Sequence, residues 1–288
     1  MESFKRDFMN SVLILGASGL LGNALVDFLA PENYTIGVIS REVTYHEDSG
    51  IKVYAVNILD FDSLASVIKE YNTIINCTGQ VTNPINECLL TNTTGMNNIV
   101  KAVKEYDKKL IHISSVAVYG TADYVNEESE LNPQTPYGSI KCFAEFLIQS
   151  NLSKYTILRI SNLFGINQKK GIINYLTESY LANTPDVHFN NNGNLKRYYI
   201  HTEDASSVIE KIMNQELTGI YNILGKDQFT IKELVANFEQ ILGYSFCVSY
   251  TNNIPLENIN IIDDSKIKSY IEQKYKVSIF DYIKNLKL

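Results

Sequence analysis

The stretch from Ser11 to Leu29 restricts the fold of this chain more than any other. Ser11 to Leu15 reads Ser-Val-Leu-Ile-Leu, a short apolar run suited to a strand buried in a parallel sheet. Gly16-Ala17-Ser18-Gly19-Leu20-Leu21-Gly22 follows at once, and Asn23 to Leu29 continues with helical spacing. Glycines three apart at a strand-to-helix turn let the backbone bend tightly. They also let a pyrophosphate approach the amides at the helix N-terminus. The pattern is Gly-x-x-Gly-x-x-Gly rather than Gly-x-Gly-x-x-Gly. A flexible loop explains neither the strand before it nor the helix after it, so the segment reads as a phosphate cradle.

The alternation continues. Strand-like runs at Tyr34–Ile39, Val53–Val56, Thr73–Cys77, Leu110–Ile113 and Thr156–Ile160 are separated by helix-length segments at Phe61–Tyr71, Asn92–Tyr106 and Tyr137–Ser150. Strands alternating with helices predict a parallel sheet covered on both faces. Small polar residues gather at the strand ends, where open α/β sheets bind ligands: Asn57, Thr78-Gly79, Ser114-Ser115 and Ser161-Asn162. The second strand ends at Ser40-Arg41, with Glu42 one step later. A site selecting NAD usually puts an acid there for the ribose hydroxyls. A serine and a guanidinium suit a 2′-phosphate better, so NADP(H) is expected, with NAD(H) as the alternative.

Pro136-Tyr137-Gly138-Ser139-Ile140-Lys141 places a phenol and an ammonium one turn apart near a helix start. A free tyrosine titrates near ~10, and a neighbouring cation draws it toward working pH. The pair is a proton donor and acceptor for alcohol–ketone chemistry. The same helix carries Ile140, Phe143, Phe146, Leu147 and Ile148, a wide apolar surface that predicts a homodimer face beyond its core packing.

The 288 residues carry 45% hydrophobic residues and a formal net charge of −7, which supports a full core and excludes a nucleic-acid footprint. An acidic chain that binds an anionic cofactor must concentrate positive charge locally, which singles out Arg41, Arg159 and Arg197. Four cysteines, Cys77, Cys88, Cys142 and Cys247, show no metal spacing, so no metal and a reduced cytoplasmic setting are expected. Lys5 and Arg6 precede an apolar run, but Asp7 and Asn10-Ser11 interrupt it, which argues against a signal peptide. No run approaches the ~20 apolar residues that span a bilayer. His112 and His201 read as structural, and Glu127-Glu128-Ser129-Glu130 as a solvated loop.

In common order and spacing these segments resemble the extended short-chain dehydrogenase/reductases, the sugar-nucleotide epimerase/dehydratase/reductase group. The similarity runs through Gly16–Gly22, Ile75–Gly79, Asn92-x-x-Gly95-x-x-Asn98, Ser114–Gly120, Tyr137-x-x-x-Lys141, Leu158–Gly165, Arg197–Asp204 and Gly219–Ile223. Tyr198 stands where that group usually has Asp, Thr202 replaces Val, and Asn57 replaces an Asp at the adenine. The group's dehydratases carry Asp-Glu after the catalytic hydroxyl, whereas Ser115 is followed by Val116-Ala117, which argues against dehydration.

The resemblance implies an α/β fold: a Rossmann-type doubly wound parallel sheet, 1–165 plus 201–224, with a small C-terminal substrate-binding lobe, 166–200 plus 225–288. It implies Ser115, Tyr137 and Lys141 as catalytic residues. The cofactor would be held by Gly16, Ser18, Gly19, Leu20, Leu21, Gly22, Ser40, Arg41, Asn57, Ile58, Cys77, Thr78, Gly79, Asn92, Tyr137, Lys141 and Ser161. A nucleotide-linked sugar would meet Gln80, Ser115, Asn162 and Arg197, the last at the diphosphate. With NADP(H) expected, the leading expectation is NADPH-dependent reduction of a 4-keto nucleotide-linked deoxysugar. The alternatives are a nucleotide-sugar 4-epimerase and a non-catalytic NADP-binding redox sensor.

Overall fold

The computed structural model describes residues 11–32, 34–40, 50–79 and 84–286. Seven strands build the main sheet: β1 (Ser11–Leu15), β2 (Thr35–Ile39), β3 (Lys52–Tyr54), β4 (Thr73–Asn76), β5 (Lys109–Ser115), β7 (Tyr155–Ile160) and β11 (Gly219–Ile223). β6 (Ala122–Val125) lies outside that sheet, as do β8 (Asn162–Phe164), β9 (Asp186–Phe189) and β10 (Lys196–His201). The order across the sheet is β11-β7-β5-β4-β1-β2-β3, and every pairing is parallel. This is the doubly wound Rossmann-type arrangement: chain order runs outward in both directions from the gap between β1 and β4, which makes the ends of those strands a natural crevice.

Two apolar clusters cover the faces of the sheet. α1 (Leu20–Leu29) packs its Leu21, Leu25, Val26 and Leu29 with Val12 and Ile14 on one side. On the other, α2 (Phe61–Ile68) and α4 (Met96–Glu105) pack with Leu13, Leu15 and Leu110, joined by Ala144 and Ile148 of α5 (Pro136–Asn151). Alternate residues of β1 thus serve both faces, as the apolar run required.

The expected helix over 61–71 ends at Ile68. Tyr71 turns inward instead, 2% exposed, and a Cβ on Gly37 would meet its phenol oxygen at 2.2 Å, so the glycine in mid-β2 makes room for that ring. The expected helix over 92–106 is interrupted. α3 (Ile85–Leu90) opens after Pro84, a π-helical turn spans Thr91–Gly95, and α4 resumes at Met96. Asn92 Nδ2 donates to the Cys88 carbonyl at 2.7 Å, and the Thr93 hydroxyl to that of Leu89 at 2.7 Å. Side chains that bond to the carbonyls of the preceding turn loosen the regular ladder there.

The remaining elements complete a third cluster. α6 (Ile172–Leu181), β9, α8 (Ile231–Leu242) and α10 (Ile279–Asn285) surround Phe164, Leu176, Phe238 and Ile283. α7 (Thr202–Asn214) instead returns to the main sheet beside α1. β12 (Asp227–Thr230), β10 and β8 form a three-stranded sheet, β13 (Cys247–Tyr250) pairs with β9, and β14 (Ile259–Ile262) pairs with β6. The short α9 (Ser265–Lys268) follows Asp264. Thr230 and Glu233 form a capping box at the start of α8.

Two expectations need correction here. Arg159 does not serve an anionic ligand. Its Nη2 binds Glu145 Oε2 at 2.7 Å, with side chains 3% and 0% exposed, and its Nη1 donates to Tyr119 Oη at 2.8 Å. Glu127 is not simply solvated: its Oε1 accepts from the Asn222 amide at 2.9 Å, and its carbonyl accepts from Arg159. His112 is 2% exposed in β5, and His201 caps α7 through the Glu203 amide. The four cysteines are free. No helix among the described residues is long and apolar enough to cross a membrane.

Candidate active site

β1 hands the chain to α1 through a turn that requires glycine at positions 16 and 22. Gly16 has φ +80°, and a Cβ on Gly22 would lie 2.3 Å from the Gly16 carbonyl oxygen. The Gly19 amide closes the turn on that same carbonyl at 3.0 Å. α1 starts at Leu20 behind Gly19, which has no side chain to cap it. Gly16, Ser18, Gly19, Leu20, Leu21 and Gly22 all border one cavity of about 1880 Å³. Drug-sized ligands occupy roughly 300–1,000 Å³, so this space suits two ligands side by side.

Further strand ends open on the same cavity. Ser40 lies at the end of β2, and Asn57 and Ile58 follow β3. Cys77, Thr78 and Gly79 follow β4; Ser115 ends β5; Ser161 and Asn162 follow β7. Asn76 fixes the turn after β4, its Oδ1 accepting from the Thr78 amide at 3.0 Å and hydroxyl at 2.6 Å. Gly79 has φ +102°, and a Cβ there would meet Asn92 Oδ1 at 2.5 Å and Lys141 Nζ at 3.4 Å. A cleft floored by glycine and backbone amides fits a dinucleotide. Asn92 itself does not border the cavity: it is buried behind Gly79, with Lys141 for a neighbour. Arg41 and Gln80 lie outside the described residues.

Thr135 accepts the Gly138 amide at 3.1 Å as N-cap of α5, and Pro136 occupies its first turn. That start delivers Tyr137 and Lys141 to the cavity. Burial pushes Tyr137 up to about 12, while a hydrogen bond to Ser115 draws it back and the negative charge of Glu257 raises it. Lys141 is 4% exposed and burial lowers it to about 8. Its ammonium donates to the Ile113 carbonyl at 2.8 Å and the Thr78 carbonyl at 3.4 Å, 5.9 Å from the centre of the Tyr137 ring. The lysine is thus anchored to two strand ends, and the phenol stays protonated at neutral pH. Val116 and Ala117, next after Ser115, are 9% and 8% exposed and offer no proton.

On the opposite side, β10 presents Arg197. Its Nη1 donates to the carbonyls of Lys196 and Glu257, its Nη2 to that of Leu256 at 3.3 Å, and the Glu257 carboxylate lies 3.8 Å away. Burial lowers the arginine and Glu257 raises it. Sequence reasoning missed Glu257, which sits in irregular chain. It also missed Lys169, Lys170 and Lys196 on the cavity wall. The basic pair ahead of Gly171, where α6 begins, was the available signal. Among the described residues, no cluster of three His, Cys, Asp or Glu side chains is placed to hold a metal.

Known proteins share this architecture. A Methanocaldococcus jannaschii protein assigned provisionally as a UDP-glucose 4-epimerase is 27% identical over 256 residues, covering 81% of this chain and 83% of its own. Among solved structures, a dTDP-glucose 4,6-dehydratase from Bacillus anthracis in complex with NAD superposes with a TM-score of 0.83 at 21% identity, covering 96% and 94% of the two chains. A UDP-glucuronic acid 4-epimerase from Bacillus cereus, in complex with UDP-glucuronic acid and NAD, gives 0.83 at 21% identity, covering 96% and 99%. Residues 12–223 match the model of one family, and on that match the chain belongs to the NAD dependent epimerase/dehydratase family.

Proposed function

We propose that the protein inverts one ring hydroxyl of a nucleotide-linked sugar, as a 4-epimerase, with a nicotinamide dinucleotide held by the glycine-loop side of the cavity. The observation that carries this is the convergence of Ser115, Tyr137 and Lys141 on the cavity that Gly16, Gly19, Gly22, Asn162 and Arg197 also border. Residues 1–165 plus 201–224 then form the cofactor domain, and 166–200 plus 225–288 the substrate lobe. A nicotinamide dinucleotide held there would supply the hydride acceptor and donor. Tyr137 takes the proton from the alcohol oxygen and gives it back to the ketone. The Ser115 hydroxyl donates to that oxygen and steadies its developing charge. Lys141 supplies the cation that lets a phenol resting near 12 act as a base. Nothing next to Ser115 provides the acid that elimination of water requires, which sets the site apart from dehydration.

A second reading is NADPH-dependent reduction of a 4-keto nucleotide-linked deoxysugar. Ser40 favours it, bordering the cavity where an acid would otherwise hold the ribose hydroxyls. Incubating the pure protein with each cofactor and with UDP- and dTDP-sugars separates the two. Isomerisation without net cofactor oxidation supports the epimerase, and stoichiometric NADPH oxidation on a 4-keto sugar supports the reductase. In the second case Arg41→Ala weakens NADPH binding roughly 10- to 100-fold and leaves NADH binding unchanged. We further propose a homodimer across α5, where Phe143 and Phe146 are 41% and 65% exposed. Sedimentation of wild type against Phe146→Glu tests it, and a wild-type monomer at micromolar concentration rules it out.

A further inference from the structure

Val116, Ala117 and Tyr198 each stand where members of the group carry an acid, and the fold brings them to one wall of the cavity. A 3-10 turn over Val116–Tyr119 follows β5 directly, and the Ser115 hydroxyl accepts from the Ala117 amide at 3.2 Å. That bond ties the start of the wall to the hydroxyl that meets the reacting oxygen under the proposed function. Tyr198, in β10, packs against the apolar cluster that holds Val116 together with Ile259 and Ile262 of β14. All five residues border the same cavity as Ser115 and Tyr137. They bring it no carboxylate, ammonium or amide side chain, and Tyr198 Oη is their one polar side-chain atom.

A hexose that reacts at carbon 4 has two ring neighbours beside the reacting centre. Carbon 3 carries a hydroxyl, and carbon 5 carries an exocyclic carbon. Only the second substituent turns apolar by losing one oxygen, when the hydroxymethyl becomes a methyl. A wall of aliphatic and aromatic side chains that begins one residue from Ser115 suits that methyl. A hydroxymethyl set against it gives up hydrogen bonds to water for apolar contacts, and a carboxylate gives up more. An apolar pocket closed around its ligand rejects an added hydroxyl by roughly 10²-fold. The cavity here, about 1880 Å³, is wide enough to admit water beside a sugar, so the expected preference is smaller.

We infer that the wall built by Val116, Ala117 and Tyr198 determines specificity, selecting nucleotide-linked 6-deoxyhexoses over the corresponding hexoses. The inference holds for either reaction proposed above and rests on the nucleotide-sugar reading of the site. Its test is calorimetric binding of matched pairs, dTDP-6-deoxyglucose against dTDP-glucose and UDP-6-deoxyglucose against UDP-glucose, with free dTDP and UDP as references. Wild type binds the 6-deoxy member of at least one pair about tenfold or more tighter. Val116→Thr keeps the side-chain shape and puts a hydroxyl on the wall, which brings that ratio below about threefold. Ala117→Ser is the second variant, and urea unfolding shows that each is folded. A wild-type ratio under tenfold in both pairs, or a ratio that stays above threefold in both folded variants, overturns the inference and leaves the nucleotide-sugar reading standing. Failure of both free nucleotides and all four sugars to bind removes that reading itself, and the inference with it.

Discussion

Arg159 and Arg197 each face a glutamate, and the two pairs differ in nearly every physical respect. Arg159–Glu145 is closed: side chains 3% and 0% exposed, three hydrogen bonds from guanidinium to carboxylate at 2.7 to 3.2 Å, and the Ser114 hydroxyl donating to Glu145 Oε1 at 2.5 Å. Tyr119 and Asn222 extend it toward β11. Arg197–Glu257 is open: side chains 18% and 13% exposed, a 3.8 Å separation, and donors aimed at loop carbonyls. The first pair pins the helix bearing Tyr137 and Lys141 to β7, and the Ser114 hydroxyl ties the same carboxylate to the strand that ends in Ser115. The second lies on the cavity wall with charge to spare for a ligand. A buried pair is tolerated only when every lone pair and proton is met, and a looser pair keeps the freedom to exchange partners.

Breaking the closed pair has the largest expected effect. Arg159→Met leaves a buried carboxylate without its cation and destabilises the fold by about 3–5 kcal/mol, read from urea unfolding. The double variant Arg159→Met/Glu145→Met recovers most of that loss. A loss under about 1 kcal/mol in the single variant shows that the closed pair is no more structural than the open one. Arg197→Met lowers stability by about 1 kcal/mol but weakens nucleoside diphosphate binding roughly tenfold or more. Isothermal titration with UDP and dTDP reads the second number, and unchanged affinity for whichever binds shows that the open pair is structural too.

The smallest effect is a slope in pH. Lys141 has its proton held to about 8, below its ordinary 10.5. Between those values the unfolded chain carries a proton that the folded chain lacks, so this group's contribution to stability rises with pH across that window. Turnover that relies on the Lys141 cation falls over the same window. A pH–rate profile with a descending limb near 8 agrees, and a profile flat from 7 to 10 does not.

Much of this was legible in the sequence because the signals were local. A strand, three spaced glycines and a helix sit within twenty residues, and Tyr137 and Lys141 are one turn apart. The parallel sheet and its strand ends followed from alternation. What stayed hidden depends on partners. Nothing near Arg159 distinguishes it from Arg197, since its fate is decided by Glu145 on a helix and Tyr119 after β5. The interruption at Thr91–Gly95 depends on side-chain bonds that a helical period does not record. Glu257 meets Thr135 across 122 residues of chain, in a segment without periodicity.

Under the proposed function, Tyr137 moves the proton in a nicotinamide-dependent reaction at this site. The most direct test of that role is Tyr137→Phe, which removes one oxygen, with cofactor binding and turnover on the substrate identified for the wild type measured on the same preparation. Cofactor affinity stays within about threefold of wild type, and turnover falls by about 10²-fold or more. Near-normal turnover in Tyr137→Phe contradicts that role.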